Sequence, residues 1–178
     1  MTSTAPEAGT TLVHVVRVPS PHAVVVGLDG SAGSRAALEY ALDEAALRGL
    51  PVAGAVAWTP PEAWMTPYPM ITSARDLQAA AIDLARNQIG EVLAGRSRRG
   101  ASAPPVELVA ASGPAAVVLE RLSAGAALLV VGHRGRGAIA SRLIGSIGLS
   151  AVVHARCTVV VVRPPDAPEA SDEEGGAS

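Results

Sequence analysis

An α/β protein with an open five-stranded parallel sheet and helices on both faces is what this sequence predicts, and three observations predict it. Short, Val-rich apolar runs alternate with stretches in which Leu and Ala recur at helical spacing. Apolar runs end in glycine or small polar residues, as buried parallel strands do when they hand over to a loop. The hydrophobic fraction is 49% but the aromatic fraction only 2%, with no Phe, so the core must come from Ala, Val, Leu and Ile. Those residues suit Val-rich strands covered by Ala-rich helices, joined by right-handed crossovers.

Ala23 to Leu28 is the first strand, ending in Asp29-Gly30-Ser31. From about Ser34 the positions Leu38, Ala41, Leu42 and Ala45 follow helical spacing until Gly49 stops them. Val52 to Trp58 reads as the second strand, followed by a Pro-rich loop from Pro60 to Pro69. Ser73 with Asp76 three residues on resembles a capping box for a helix to about Ala94, whose buried stripe is Leu77, Ala81, Leu84 and Ile89. Gly95 to Pro105, carrying Arg96, Arg98 and Arg99, reads as a solvated polar linker before the third strand, Val106 to Ala110. Ser112 is a candidate cap and Pro114 suits the first turn of a short helix to Leu122. Ala127 to Val131 is the fourth strand, Leu143 to His154 the fourth helix and Val159 to Arg163 the fifth strand.

At 178 residues and 17.9 kDa the chain is long enough for one domain and short for two ordinary ones. Residues 1–21 form a leader of uncertain structure, in which Thr11 to Val18 is β-prone and could be an edge strand, a docking segment or a disordered arm. Residues 22–163 make the folded domain, and 164–178, acidic and without periodicity, read as a disordered tail. The formal net charge of −2 gives no field that draws the protein to nucleic acid or to a membrane. All 14 basic residues are Arg, which excludes a phosphate-loop lysine and a Schiff base. Cys157, the single cysteine, excludes an intrachain disulfide and reads as a small buried hydrophobe. No apolar run approaches the roughly 20 residues of a membrane span, and no secretory signal is visible, so the cytoplasm is the expected location.

The stretch most informative about function is Val130-Val131-Gly132-His133-Arg134-Gly135, followed after nine intervening residues by Gly145-Ser146. Two glycines three apart let the main chain approach a ligand without a Cβ, and Gly-Ser opens a helix whose free amides favour an anion. Ligands of open parallel sheets bind beyond the carboxyl ends of the strands, where strand order reverses. That rule sets the loops after the first and fourth strands side by side and points to nucleotide binding.

The spacing G-x2-G-x9-G-S, with Gly132, Gly135, Gly145 and Ser146 in register, resembles the ATP-binding signature of the universal stress protein family. The resemblance runs from about His22 to Arg163 and implies a Rossmann-like sheet of order 3-2-1-4-5. It implies further that Asp29 contacts adenosine, that the backbone at Ala57 faces the adenine, that Gly132 and Gly135 admit ribose and phosphates, and that Gly145 and Ser146 hold phosphate oxygens through N–H and hydroxyl donors. Arg134 and Arg136 join them on chemistry, since a guanidinium suits phosphate. The family resemblance also implies a homodimer through the last strand, where Val159 to Val162 is an apolar run. His133 stands where the family often has Ser, and Ala126 and Ala127 where it often has an acid.

Each of these residues also has a structural reading: turn glycines, a serine or Asp29 capping a helix, His133 at a surface. No catalytic group and no metal ligand can be assigned. The expected function is therefore an ATP-binding regulatory or protective module of the stress response. A nucleotide-free dimeric scaffold is the alternative, and a slow hydrolase of ATP held with Mg²⁺ the second.

Overall fold

A computed structural model describes residues 14–16, 18–59, 73–135 and 145–164, with the backbone alone at 14–16. Ten elements follow in chain order: β1 (His14–Val16), β2 (Val24–Gly27), α1 (Ala32–Arg48), β3 (Val52–Trp58), α2 (Ala74–Arg98), β4 (Val106–Ser112), α3 (Ala115–Ser123), β5 (Leu128–Gly132), α4 (Ser146–His154) and β6 (Val159–Val162). The sheet is parallel throughout, in the order β1-β4-β3-β2-β5-β6. The five predicted strands, now β2 to β6, thus lie in the predicted order 3-2-1-4-5. The sixth comes from the undecided leader: His14 pairs with Glu107 and Val16 with Val109, giving β4 a partner on its outer side.

Topology dictates where the helices go. From β2 the chain steps outward to β3 and β4, so right-handed crossovers put α1 and α2 on one face. It then returns across the sheet to β5 and continues to β6, which puts α3 and α4 on the other. Alternation along the strands supplies both cores: Val24, Val26 and Leu28 pack with Leu38, Leu42 and Ile89 on one side, while Ala23, Val25 and Leu129 pack with Leu119 and Ala151 on the other. The order reverses between β2 and β5, which pair from Val24↔Leu128 to Val26↔Val130.

Helix signals hold with local adjustments. Ser31 caps α1 by accepting from the Ser34 N–H at 3.1 Å, and Gly49 ends it in the left-handed conformation, φ 65°, that a side chain resists. Ser73 and Asp76 form the capping box of α2, and the two bonds from Ser73 hold the Asp76 carboxyl below its usual pKa. At α3 the expectation needs correcting. Ser112 belongs to the end of β4, and Pro114 is itself the N-cap, with no side-chain cap bond.

The larger correction concerns Arg96. The reading of Gly95 to Pro105 as a solvated linker holds from Arg99 onward, and Arg98 is exposed, but it fails before that because α2 runs on to Arg98 and Arg96 is buried. Its guanidinium meets Glu39 at 3.0 Å and Asp43 at 2.7 Å, both on α1, while Arg99 reaches Glu39 at 2.9 Å. A desolvated cation is retained there because two carboxylates face it. The result is a clamp between the two long helices. The Pro60 to Pro69 loop, Leu143 at the expected start of the fourth helix, and the tail beyond Pro164 lie outside the described residues.

Candidate functional site

Above the reversal point, at the carboxyl ends of β2 and β5, is a cavity of about 330 Å³. Its walls hold seven of the eight residues singled out from the sequence: Asp29, Ala57, Gly132, Arg134, Gly135, Gly145 and Ser146. Arg136 lies outside the described residues. Ala57, Val118, Leu119 and Val131 form an apolar wall beneath, and Asp29, Arg134 and the start of α4 supply the polar groups.

Three loops meet here, each held by its own bonds. After β2, the Asp29 carboxylate accepts the Ser31 N–H at 2.9 Å, so Ser31 caps α1 and Asp29 braces the turn before it. After β5, the His133 N–H donates to the Val162 carbonyl at 2.7 Å and the His133 carbonyl accepts from the Gly145 N–H at 2.9 Å. The chain therefore leaves at Gly135 and returns at Gly145 beside its point of departure. The first helical bond of α4 is Leu149 N–H to Gly145 carbonyl at 3.0 Å. That leaves the amides of Ser146, Ile147 and Gly148 without an intrahelical acceptor, and no side chain among the described residues caps this end. All three residues line the cavity.

The glycines have more than one reason to be glycine. A Cβ at Gly132 would stand 2.5 Å from the carbonyl carbon of Gly33 and 2.8 Å from the Ser34 nitrogen, so its bareness lets β5 end directly on the first turn of α1. At Gly135 a Cβ would meet the Asp29 carboxylate at 2.5 Å, which brings the two predicted loops into contact. Neither residue adopts a positive φ, so neither is a turn glycine in the left-handed sense. Gly145 differs from expectation in another way: its amide is committed to His133, and the open donors begin one residue later.

His133 is not on the cavity wall. Its ring nitrogens are buried with no hydrogen-bond partner among the described residues, and desolvation, then Arg134 and Arg163, push its pKa below the ordinary value. Cys157 is half-buried and packs against the α3/α4-side core, and burial pushes its thiol pKa up.

Sequence reasoning missed several residues of the site. Ile147 and Gly148 follow from the capless start of α4, and Val118 and Leu119 from α3 packing under β2. Gln88, on α2, is buried and bonded to the loop after β2. Its signal was available, because it falls four residues after Leu84 on the stripe expected to be apolar.

Comparison with known proteins places this architecture. The model of the "Universal stress protein family" matches residues 21–163. A universal stress protein of Mycobacterium tuberculosis is 38% identical over 149 residues, covering 82% of this chain and 48% of its own. A second from the same organism is 34% identical over 145 residues, covering 82% and 46%. The chain thus spans about half the length of the curated relatives it matches. Among solved structures, a universal stress protein in complex with cAMP superposes with a TM-score of 0.56 at 25% identity, covering 82% of this chain and 99% of that one. A family protein from Burkholderia pseudomallei gives 0.55 at 27% identity, covering 79% and 94%. No helix among the described residues is long and apolar enough to cross a membrane. With the family model spanning most of its length, relatives above 30% identity and the fold shared, this chain belongs to the universal stress protein family.

Proposed function

We propose that residues 22–163 bind an adenine nucleotide, ATP foremost, and that the protein is a cytoplasmic, nucleotide-dependent regulatory module of the stress response. One observation carries the reading: the open amides of Ser146, Ile147 and Gly148 share a cavity with Arg134, Asp29 and an apolar wall. Helix-start amides and a guanidinium suit phosphate, a carboxylate suits ribose hydroxyls, and the wall at Ala57, Val118 and Leu119 suits a base. A volume of about 330 Å³ falls within the range of small-ligand sites, roughly 300–1,000 Å³. The relative solved in complex with cAMP supports an adenine nucleotide over other anions. Mg²⁺ would enter with the phosphates of the nucleotide rather than at a site of its own.

We also propose a homodimer that uses β6 and α4. Among the described residues the strand ends the sheet on its side with Val159 to Val162, and beside it Leu149, Val152 and Val153 of α4 stand 57%, 55% and 64% exposed. An apolar edge strand next to an apolar helix face favours a partner that covers both.

Calorimetry with ATP, AMP and cAMP tests the nucleotide reading. ATP is expected to bind the parent, and Ala57→Leu, which fills the wall, is expected to weaken it by about tenfold or more through steric exclusion while the fold melts as before. A folded parent that gives no heat with any of the three would sink the proposal.

A further inference from the structure

Gln88 is a buried primary amide among apolar neighbours on α2, where Ala85, Ile89 and Val92 are also buried. Burying such a group costs free energy unless both of its ends are bonded. Both are. Its Oε1 accepts the Gly30 N–H at 3.0 Å, and its Nε2 donates to Ser34 Oγ at 2.7 Å. Ser34 Oγ in turn donates to the Ser31 carbonyl at 3.1 Å and accepts the Asp29 N–H at 3.4 Å.

The consequence lies in the accounting of donors. The amides of Asp29, Gly30 and Ser31 are committed to Ser34, Gln88 and the Asp29 carboxylate respectively. The turn after β2 therefore faces the cavity with a carboxylate and no backbone donors. Across the cavity, α4 presents donors and no carboxylate. The two ends have opposite character, and the amide on α2 fixes one of them. A methionine would fill the same space without setting the turn.

We infer that Gln88, acting through Ser34, is a positioning residue that holds the Asp29 turn so that its carboxylate meets the hydroxyl groups of a nucleoside, while phosphate is bound independently at α4. This deepens the nucleotide reading above and rests on it. The amide touches no ligand itself, since Gln88 is not part of the cavity wall.

The test is calorimetry on the parent, Gln88→Met and Ser34→Ala with three probes: ATP, adenosine and inorganic tripolyphosphate. Loss of buried hydrogen bonds at the turn is expected to weaken ATP and adenosine by the same factor, about tenfold for Gln88→Met, and to leave tripolyphosphate within about twofold. Ser34→Ala should move in the same direction by less, and it carries the test should Gln88→Met fail to fold. Unchanged ATP affinity in a folded variant, or a loss shared equally by tripolyphosphate, overturns the inference while leaving nucleotide binding intact. A folded parent that binds none of the three probes removes the nucleotide reading and this inference together.

Discussion

The two faces of the sheet are covered unequally. On one side α1 and α2, of 17 and 25 residues, lie over Val24, Val26, Leu108 and Val130 and are clamped to each other by Arg96 with Glu39 and Asp43. On the other, α3 and α4 have nine residues each, and α4 turns Leu149, Val152 and Val153 to solvent. The strands alternate regularly, so the difference does not lie in them. It lies in what the crossovers cover: among the described residues one face is closed by two long helices while the other leaves apolar side chains in solvent, with the cavity between α3 and the start of α4.

The largest effect should come from breaking the seam where the closed face meets the site. Gly132→Val puts a side chain into the Gly33 backbone, which cannot retreat without moving α1; overpacking of this kind costs about 3 kcal/mol, and the melting temperature should drop by about 10 °C. Gly145→Ala, whose new Cβ would find its nearest neighbour at 3.5 Å, should melt close to the parent. Equal melting of the two variants would mean that Gly132 is bare for another reason.

Next in size is the clamp. Arg96→Ala leaves the Glu39 and Asp43 carboxylates, one turn apart on α1, without the cation that α2 sets against them, and the expected loss in denaturant titration is about 2 kcal/mol. That is below the cost of a fully buried pair because Asp43 and Glu39 keep contact with water and Glu39 retains Arg99. A loss below about 0.5 kcal/mol, the range of ordinary surface changes, would put the closed face on the same footing as the open one.

On the open face, Val153→Asp should change the stability of the single chain by no more than about 0.5 kcal/mol, since the side chain is 64% exposed. Sedimentation should show the same substitution weakening self-association. A large loss of stability with no change in mass would show that the face is closed by the chain after all.

The smallest expected effect is the pH response of His133. Its folded pKa lies below the ordinary 6.5 through desolvation, then Arg134 and Arg163, so the unfolded chain binds more protons between the two values. Stability is therefore full above about pH 6.5 and declines as pH falls through that window. His133→Gln should flatten the decline in denaturant titrations at neutral and mildly acidic pH, and an unchanged slope would remove the histidine from the account.

Much of this was legible in order, because alternation and helical spacing are local. The runs at Val24, Val52, Val106, Leu128 and Val159 are strands, Gly49 stops α1, and Ser73 with Asp76 caps α2. The glycine spacing at Gly132, Gly135, Gly145 and Ser146 marked residues that do gather at one cavity. Arg96 looks like a loop residue because Gly95 and Gly100 resemble the edges of a loop, whereas the acids that bury it lie more than 50 residues earlier, on α1. Gln88 carries no local signal of its bonds, because its partners, Gly30 and Ser34, are 58 and 54 residues away.

The kind and order of the elements, the composition of the core and the edge of the sheet at which the glycines fall can all be read along the chain, since each depends on neighbours a few positions apart. Which donors remain open follows from the folded arrangement: Gly145 gives its amide to His133, the Asp29 turn gives its amides to Ser34, Gln88 and the Asp29 carboxylate, and those of Ser146 to Gly148 have no helical acceptor. A hydrogen bond is made by whatever groups the fold brings within reach, and chain separation says nothing about that distance.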